Sequence, residues 1–321
     1  MADSSYVIDQ SKLDAANITF RAIMSELFTD QQTGLDALLA ERVNAGGALS
    51  TTLVVEDYLG VWEEFLGARV TSVSRAYSQT VTLTTWAQQI KIRRKDMAYD
   101  PTGVTANRLR RFLQTQASYY DTLLFDSLVS NTGTGPTGYD GVALIGTTHP
   151  NGPSGNQTNK GTAALTQTTF DTQFTQMTSL QRENGQPMNI VPKTLLVGPK
   201  LRQIAMQITG ADIRGQAVDN SGAESGTRIG TAGVTNVYNG IVNLVVSPKL
   251  VGTYDDYWYI LGEGPGGMKP FLFLEGMAPK EQIDASMDSP TVMKNDAFTY
   301  GLIADAKVAA GAWQTINANI L

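Results

Sequence analysis

Residues 159–208 read NKGTAALTQTTFDTQFTQMTSLQRENGQPMNIVPKTLLVGPKLRQIAMQI, and their pattern predicts a helix, a strand and a second helix in close succession. Apolar residues recur every three or four positions within 167–183, which predicts the first helix, with Thr166 as its N-cap and Asn184-Gly185 as its end. The apolar run Lys193–Val197 predicts a strand, and Gly198-Pro199 leads into a helix over Lys200–Ile208.

The longest helix is predicted upstream, over residues 103–131. Asp100-Pro101-Thr102 is a start signal and Asn131-Thr132-Gly133 is a stop signal. Six residues between them step by three or four positions along one stripe: Leu109, Leu113, Ala117, Tyr120, Leu124 and Leu128. At 1.5 Å per residue such a helix would be roughly 40 Å long. We therefore expect it to form the spine of the molecule.

The flanking segments predict thin, extended features. Residues 12–43 are expected to be an extended lead-in with one or two short helices, and Val70–Ile92 a two-stranded arm with its tip near Ala76–Gln79. Residues 209–236 predict a long, apolar-poor loop. An isolated hairpin is marginally stable in water, so the arm is expected to need a partner surface. Further strands are predicted at 241–247, 257–262, 269–275 and 296–309, which indicates an α+β protein.

Composition excludes several classes of function. The chain has no cysteine and one histidine, which rules out disulfides and cysteine-ligated metals. Its 24 basic and 30 acidic residues give a net charge of −6, whereas nucleic-acid readers are usually basic. No run of about 18 apolar residues is present, which predicts no membrane span. The N-terminus lacks the pattern of a secretory signal, which indicates the cytoplasm of the producing cell.

Catalytic motifs are not evident. Every Ser–His–Asp scheme would have to use His149, which lies in the turn TTHPNG, and no nucleophile elbow accompanies it. We expect His149 to be a hydrogen-bonded turn residue. The glycine-rich run at 262–267 precedes a predicted strand rather than a helix, so it lacks the helix N-terminus of a phosphate loop. The sequence therefore predicts no catalytic residue, no cofactor and no metal site.

The main basic concentration is 93–95, with three further arginines at 108, 110 and 111. Three interpretations stay open at this point: a solvated face, a salt-bridge surface between subunits that faces acidic residues such as Glu63-Glu64, and a nucleic-acid contact. The residues predicted as inter-subunit contacts are Arg75, Tyr77, Trp86, Arg93, Arg94, Glu63 and Glu64.

Several segments resemble a known family. Residues 122–133 read TLLFDSLVSNTG and 139–152 read YDGVALIGTTHPNG. Together with 159–208, they resemble the Mu-like prophage major head subunit (T subunit) family. The later runs KPFLFLEGMAP at 269–279 and DAFTYGLIADAKVAAGAWQ at 296–314 are also similar to it. The resemblance covers about Leu53–Trp313, and the family has no catalytic residues to carry over.

The resemblance implies a Hong Kong 97-type phage capsid fold. It predicts an N-terminal arm at 1–50 and strands with an extended E-loop hairpin at 51–92. Residues 93–131 and 276–321 would form the peripheral domain with the spine helix. Residues 132–275 would form the axial domain.

The same resemblance implies a structural function rather than an enzymatic one. We expect a major capsid protein that forms hexamers and pentamers and self-assembles into an icosahedral shell around the double-stranded DNA of a tailed phage, without sequence-specific contacts. Such a protein resides in the virion and is assembled in the bacterial cytoplasm with scaffold, portal and decoration proteins. Two alternatives remain: a bacterial nanocompartment shell protein of the same fold, and a tail-type or binding structural protein.

Overall fold

The structure is a computed structural model, and it describes residues 10–28, 35–58, 64, 74–100, 103–130, 136–210, 213–218, 230–236 and 238–321. The helices in this part of the chain are α1 Gln10–Phe28, α2 Leu35–Leu39, α3 Arg94–Ala98, α4 Val104–Ala117, α5 Tyr119–Val129, α6 Gln167–Thr178, α7 Arg202–Thr209 and α8 Pro290–Asn295.

The strands complete the chain order. They are β1 Ala40–Asn44, β2 Ser50–Tyr58, β3 Ser74–Thr82, β4 Thr84–Arg93, β5 His149–Pro150, β6 Asn156–Gln157, β7 Lys160–Gly161, β8 Val191–Val197, β9 Ile213–Val218, β10 Gly230–Thr235, β11 Asn243–Val246, β12 Trp258–Glu263, β13 Phe271–Asp284, β14 Ala297–Ala310 and β15 Ile316–Asn319. The chain divides into two compact units.

Unit 1 takes in the described residues of 1–53, 78–127 and 271–309. Its four-stranded sheet has the order β1-β13-β14-β4, with β1 parallel to β13 and β4 antiparallel to β14. Helices α1 and α4 contact each other, and their apolar faces join the sheet in one core. The largest buried side chains of that core include Phe20, Phe298 and Tyr300. Burial of these large apolar surfaces is the main favourable contribution to the folding of this unit.

Unit 2 takes in the described residues of 54–77, 128–270 and 310–321. Its five-stranded sheet has the order β11-β8-β12-β15-β7 and is mixed: β8 and β12 are antiparallel, while β11–β8 and β15–β7 are parallel. Helices α6 and α7 contact β8 and contribute to a core around Phe170, Leu195 and Trp258. The central strands β8 and β12 are buried over most of their length, as strands covered on both faces are.

The predicted spine helix is two helices. Asp100 starts α4 as expected, because its carboxylate accepts from the backbone N–H groups of Val104 and Thr105 at 2.9 and 2.6 Å. The chain then breaks at Ser118, whose backbone lies at φ −81°, ψ 11°. The Ser118 hydroxyl donates to the carbonyl of Thr115 at 2.9 Å, a local bond that competes with the helical ladder. A single continuous helix over 103–131 was therefore a wrong prediction. Five of the six stripe residues are buried, and Ala117 is half-buried.

The predicted hairpin tip near Ala76–Gln79 is also wrong. Strand β3 runs through these residues without a break and forms a two-stranded sheet with β2, while β4 pairs with β14. The tetrapeptide contains none of the glycine, proline, asparagine or aspartate residues that tight turns favour. The part of the predicted E-loop at 66–73 lies outside the described residues.

The predicted loop at 209–236 contains two strands. Strands β9 and β10 pair antiparallel, from Gly230 opposite Val218 to Thr235 opposite Ile213. Small and polar residues dominate both strands, so the apolar alternation that would predict them is missing. The residues between the two strands lie outside the described part of the chain.

Both chain ends differ from the expected arrangement. The N-terminal segment is not extended over 10–28: α1 is a 19-residue helix, and Leu13, Phe20 and Ile23 on it are buried in the core of unit 1. At the other end, residues 310–321 belong to unit 2 rather than with the rest of 276–321. Strand β15 explains this, because it is fully buried between β12 and β7.

Helix α6 confirms the predicted cap and corrects the predicted end. The Thr166 side chain accepts from the backbone N–H of Thr169, and the Thr169 hydroxyl oxygen accepts from the backbone N–H of Thr166. The two bonds complete a capping box. The helix ends at Thr178, five residues before the predicted end at 183. Residues 181–187 instead form a turn in which Gly185 adopts φ 79°.

Candidate interaction surfaces

Trp86 is a predicted contact residue whose aromatic side chain is exposed. It lies on β4 and is 41% exposed, whereas Trp258 and Trp313 are 0% and 2% exposed. Its indole N–H donates to the carbonyl of Ala306 on the neighbouring strand at 3.1 Å. Because the only polar group of the side chain is satisfied within the chain, the exposed part of the ring is apolar.

A groove in unit 1 has Trp86 in its wall. It has a volume of about 240 Å³ and is lined by Phe28, Trp86, Ala87, Gln88, Gln116, Tyr119, Pro279, Leu302, Ile303 and Ala304. The rings of Trp86 and Tyr119 meet edge to face at 6.3 Å between centroids. Burial, followed by the charges of Glu275 and Asp305, raises the pKa of Tyr119 above its usual range. The groove thus combines uncharged aromatic surface with two amide side chains.

Beside the groove, Tyr120 is fixed by neighbours within unit 1. Its hydroxyl donates to Glu275 at 2.5 Å, and the guanidinium of Arg42 lies over its ring at 4.4 Å from the centroid. Burial, then the hydrogen bond to Glu275, raises the pKa of Tyr120 above its usual range. Cation–π contacts of this kind restrain an aromatic ring. The wall that α5 contributes is therefore held in place.

The basic residues lie where β4 passes into α3. Arg93 is exposed and Arg94 is half-buried. The guanidinium of Arg94 is 3.9 Å from the carboxylate of Asp296, and that of Arg108 is 3.3 Å from Asp96. Exposed pairs of this type contribute about 0–1 kcal/mol each. They leave the surface net basic, because the exposed Arg93 and the exposed Arg111, which is three positions from Arg108 on α4, add charge beside them.

The acidic partners predicted for this surface are only partly described. Glu64 is an exposed residue, whereas Glu63 and the side chain of Arg75 lie outside the described part of the structure. The pairing of Glu63-Glu64 with a basic surface stays a prediction.

Tyr77 makes contacts within unit 2. Its hydroxyl donates to the carboxylate of Glu183, and its ring lies 5.3 Å from that of Tyr139. Glu183 is buried at 8% exposure, and it is 106 positions away in the sequence. The contact anchors the first half of β3 to the body of unit 2. Sequence reasoning could not find this pair, because no local pattern joins two residues so far apart.

His149 lies at the centre of a buried polar cluster in unit 2. Its side chain is fully buried, its ring stacks on Trp313 at 4.2 Å with an interplanar angle of 5°, and Nδ1 is 2.5 Å from Asp140. Nε2 is 3.2 Å from the amide oxygen of Asn159. This confirms a hydrogen-bonded residue, although one more deeply buried than a turn residue. A ring without exposed surface is not placed to act on a substrate.

The described ranges contain neither a cluster of metal ligands nor a membrane-spanning helix. There, no three or more histidine, aspartate or glutamate side chains are grouped as metal ligands. Nor does any helix of those ranges have both the length and the apolar character needed to cross a bilayer.

Comparison with known proteins assigns the fold. A chain of the bacteriophage JBD30 procapsid matches with a TM-score of 0.52 and 16% identity, over 98% of this chain and 76% of that chain. A chain of the Mycobacterium phage Patience matches with a TM-score of 0.54 and 12% identity, over 98% and 89%. The mature capsid of bacteriophage PhiM1 matches with a TM-score of 0.55 and 11% identity, over 88% and 86%. No curated protein sequence matches the chain.

The two units, their mixed sheets and these likenesses define a protein of the Hong Kong 97-type capsid fold. The family model described as "Phage capsid protein" matches residues 76–317. The chain therefore belongs to the phage capsid protein family: it is a structural protein of a bacteriophage and resides in the virion. This family favours the phage capsid over the two alternative functions, a nanocompartment shell and a tail-type protein.

Proposed function

We propose that this chain is the repeating subunit of the head of a tailed phage, whose copies form hexamers and pentamers and close an icosahedral shell around double-stranded DNA. The observation that carries the proposal is the phage capsid family match over 76–317, which spans residues of both units. The similar structures are described as capsids and a procapsid, which supports self-assembly. Within the phage capsid family, the Mu-like major head subunits are the group that we propose for it.

The groove in unit 1 is the surface that we propose for contact between subunits. Aromatic residues are enriched in the buried centres of interfaces, and a stable interface buries about 1,600 Å² in total. Trp86 suits such a centre because its indole N–H is satisfied internally, so its exposed ring can be covered without leaving a donor unpaired. Its position on the long β4–β14 pair gives it a rigid base.

Charge is the second support for contact between subunits. The surface that contains Arg93 and Arg94 is basic, while the chain as a whole carries a net charge of −6. We propose that it faces an acidic region of a neighbouring copy, with Glu63, Glu64 and Arg75 among the contacts. Such complementarity sets register and specificity more than affinity. Tyr77 would contribute to the contact between subunits as part of β3, because its hydroxyl already donates to Glu183 within the chain.

The remaining roles are proposed from the same family. Residues 1–50 would contact neighbours as the N-terminal arm, and 51–92 would include the E-loop. The peripheral domain would be formed by 93–131 and 276–309, because 310–321 belong to unit 2. The axial domain would be formed by 132–275. Scaffold, portal and decoration proteins are the proposed partners. No enzymatic activity is proposed, and the acidic chain would enclose DNA without sequence-specific contacts.

The proposed assembly is tested by expressing the full chain in bacteria and examining it by size-exclusion chromatography and negative-stain electron microscopy. We expect closed shells, or capsomers that close when a scaffold protein is supplied. Nuclease-resistant double-stranded DNA inside particles from phage-producing cells would distinguish a head from a nanocompartment. Tubes, or particles filled with a protein cargo, would contradict the proposal.

The groove is tested by Trp86→Ala, with Met293→Ala as the matched control. Met293 is a large apolar residue that is 75% exposed on α8 of the same unit and does not line the groove. We expect Trp86→Ala to reduce the yield of closed shells at least about tenfold, because truncation of a central aromatic residue costs about 2 kcal/mol or more at each interface. The Met293→Ala yield should match that of the wild type. Equal yields for the two variants would contradict a role of the groove in assembly.

A further inference from the structure

The side-chain amide of Asn159 has only one orientation that satisfies its neighbours. Its nitrogen lies 2.8 Å from the carbonyl oxygen of Leu144 and 2.9 Å from that of Trp313, so it donates to both. Its oxygen accepts from the backbone N–H of Gly146 at 2.8 Å. The opposite orientation would place an oxygen against two carbonyl oxygens and an NH₂ group against an N–H. Asn159 is 1% exposed, and mismatches of this kind are costly in a buried site.

The orientation of the Asn159 amide determines which of its atoms faces the His149 ring. The Nε2 atom of the ring lies 3.2 Å from the Asn159 amide oxygen, which has no hydrogen to give. A hydrogen bond at this position therefore requires a hydrogen on Nε2. The other ring nitrogen, Nδ1, lies 2.5 Å from a carboxylate oxygen of Asp140. Both nitrogens thus face acceptors, and only a ring with two N–H groups donates to both.

The surroundings of the ring favour a positive charge. Asp140 presents one oxygen to Nδ1, and its other oxygen accepts from the backbone N–H of Val142 at 3.1 Å, as expected for an ionised carboxylate. The side chain of Asp140 is only 4% exposed, so its charge needs a buried partner. The indole of Trp313 lies parallel to the imidazole at 4.2 Å, where its π face attracts a cation.

We infer that His149 is a structural imidazolium in the folded protein, which carries a hydrogen on both ring nitrogens and forms a buried ion pair with Asp140. This inference is independent of the proposed function, because it rests on contacts within unit 2. It gives the only histidine of the chain a structural role rather than a catalytic one.

The contacts of the ion pair and of Asn159 with Trp313 join two distant segments of unit 2. Asp140, His149 and Asn159 belong to the segment before α6, whereas Trp313 belongs to the C-terminal segment. Backbone bonds continue the connection, since Ala318 N–H donates to the Asn159 carbonyl at 2.9 Å and Ile320 N–H donates to that of Gly161 at 3.0 Å. The charged ring thus lies close to the place where β15 pairs with β7 in the sheet.

The test is nitrogen NMR of the full chain labelled with ¹⁵N-histidine, measured at neutral pH on assembled particles or on the purified subunit. With one histidine in the chain, the spectrum contains one imidazole and needs no assignment by mutation. We expect both ring nitrogens to show a directly bonded hydrogen. One nitrogen without a bonded hydrogen, at the position of an unprotonated imidazole nitrogen, would overturn the inference.

Asp140→Asn extends the test. The new amide can donate to Nδ1, so the ring should become neutral, keeping the hydrogen on Nε2 and losing that on Nδ1. Asp256→Asn, which replaces an exposed carboxylate paired with Lys200, serves as the control and should leave both hydrogens in place. If Asp140→Asn fails to fold, the wild-type spectrum still decides the question. A spectrum unchanged by Asp140→Asn would contradict the ion pair.

Discussion

Asn159→Leu is the substitution that most directly challenges the packing of unit 2. Leucine has the same branched arrangement of heavy atoms as asparagine, but it is larger and provides none of its hydrogen bonds. The change would strand two buried backbone groups, the N–H of Gly146 and the carbonyl of Leu144, and would leave the carbonyl of Trp313 with only its bond from the N–H of Ile316. Each stranded group costs about 1–3 kcal/mol. After partial relaxation we expect a loss of about 3–6 kcal/mol, a large part of the 5–15 kcal/mol of a typical domain.

A matched control separates this network from the general effect of removing an asparagine. Asn151 also donates from its side-chain nitrogen to a carbonyl, that of Gln181 at 2.6 Å, but this bond is exposed to water. Because water can replace the lost partner, we expect Asn151→Leu to cost less than about 1 kcal/mol.

The assay is urea unfolding of the purified full chain, combined with hydrogen exchange of the Ala318 and Ile320 amides. Asn159→Leu should lower the unfolding midpoint and accelerate exchange at both amides, because they bond to the segment that Asn159 holds. Asn151→Leu should change neither. Unfolding free energies of the two variants within about 1 kcal/mol of each other would refute the reasoning.

Three further substitutions test other parts of the fold. Burial raises the pKa of Tyr300 from 10.0 to about 12, so its contribution to stability is complete below pH 10 and is lost as the pH rises towards 12, by about 2–3 kcal/mol in total. Tyr300→Phe should remove that decline in the free energy of unfolding, measured between about pH 9 and about pH 12, and parallel curves for the two proteins would contradict it. Thr166→Ala removes the α6 cap and should cost about 1 kcal/mol in denaturant unfolding, whereas Thr168→Ala on an exposed position of the same helix should cost less; equal losses would refute the capping role. Gly198→Ala would bring its Cβ against the carbonyl oxygen of Leu250 and should cost about 1–3 kcal/mol, so a variant as stable as the wild type would show that this close approach is not tight.

Elements with strong local signals were predictable from the sequence. The Thr166 cap, the Asp100 start and the buried stripe of the spine segment depend on contacts within a few residues, and the structure confirms them. The Ser118 break was not predictable, because the stripe continues across it and one serine is a weak signal within a helical pattern.

Elements determined by distant partners were mispredicted or missed. Strand β15 contains two asparagines in four residues, so it lacks an apolar pattern and is recognisable only from its burial between β12 and β7. The β2–β3 pairing and the Tyr77–Glu183 contact likewise join segments that no local periodicity connects. For the candidate surfaces, the sequence predicts Trp86 as an aromatic contact residue. The groove around it, however, is assembled from five separate parts of the chain.

The central claim is that copies of this chain build the wall of a phage head, and electron cryomicroscopy of the particles formed by the full chain tests it most directly. We predict closed shells in which the fold of 76–317 occupies every position of the hexamers and pentamers, with Trp86 covered by a neighbouring copy. A stable monomer that forms no shell with or without scaffold protein, or particles whose walls do not contain this fold, would contradict it.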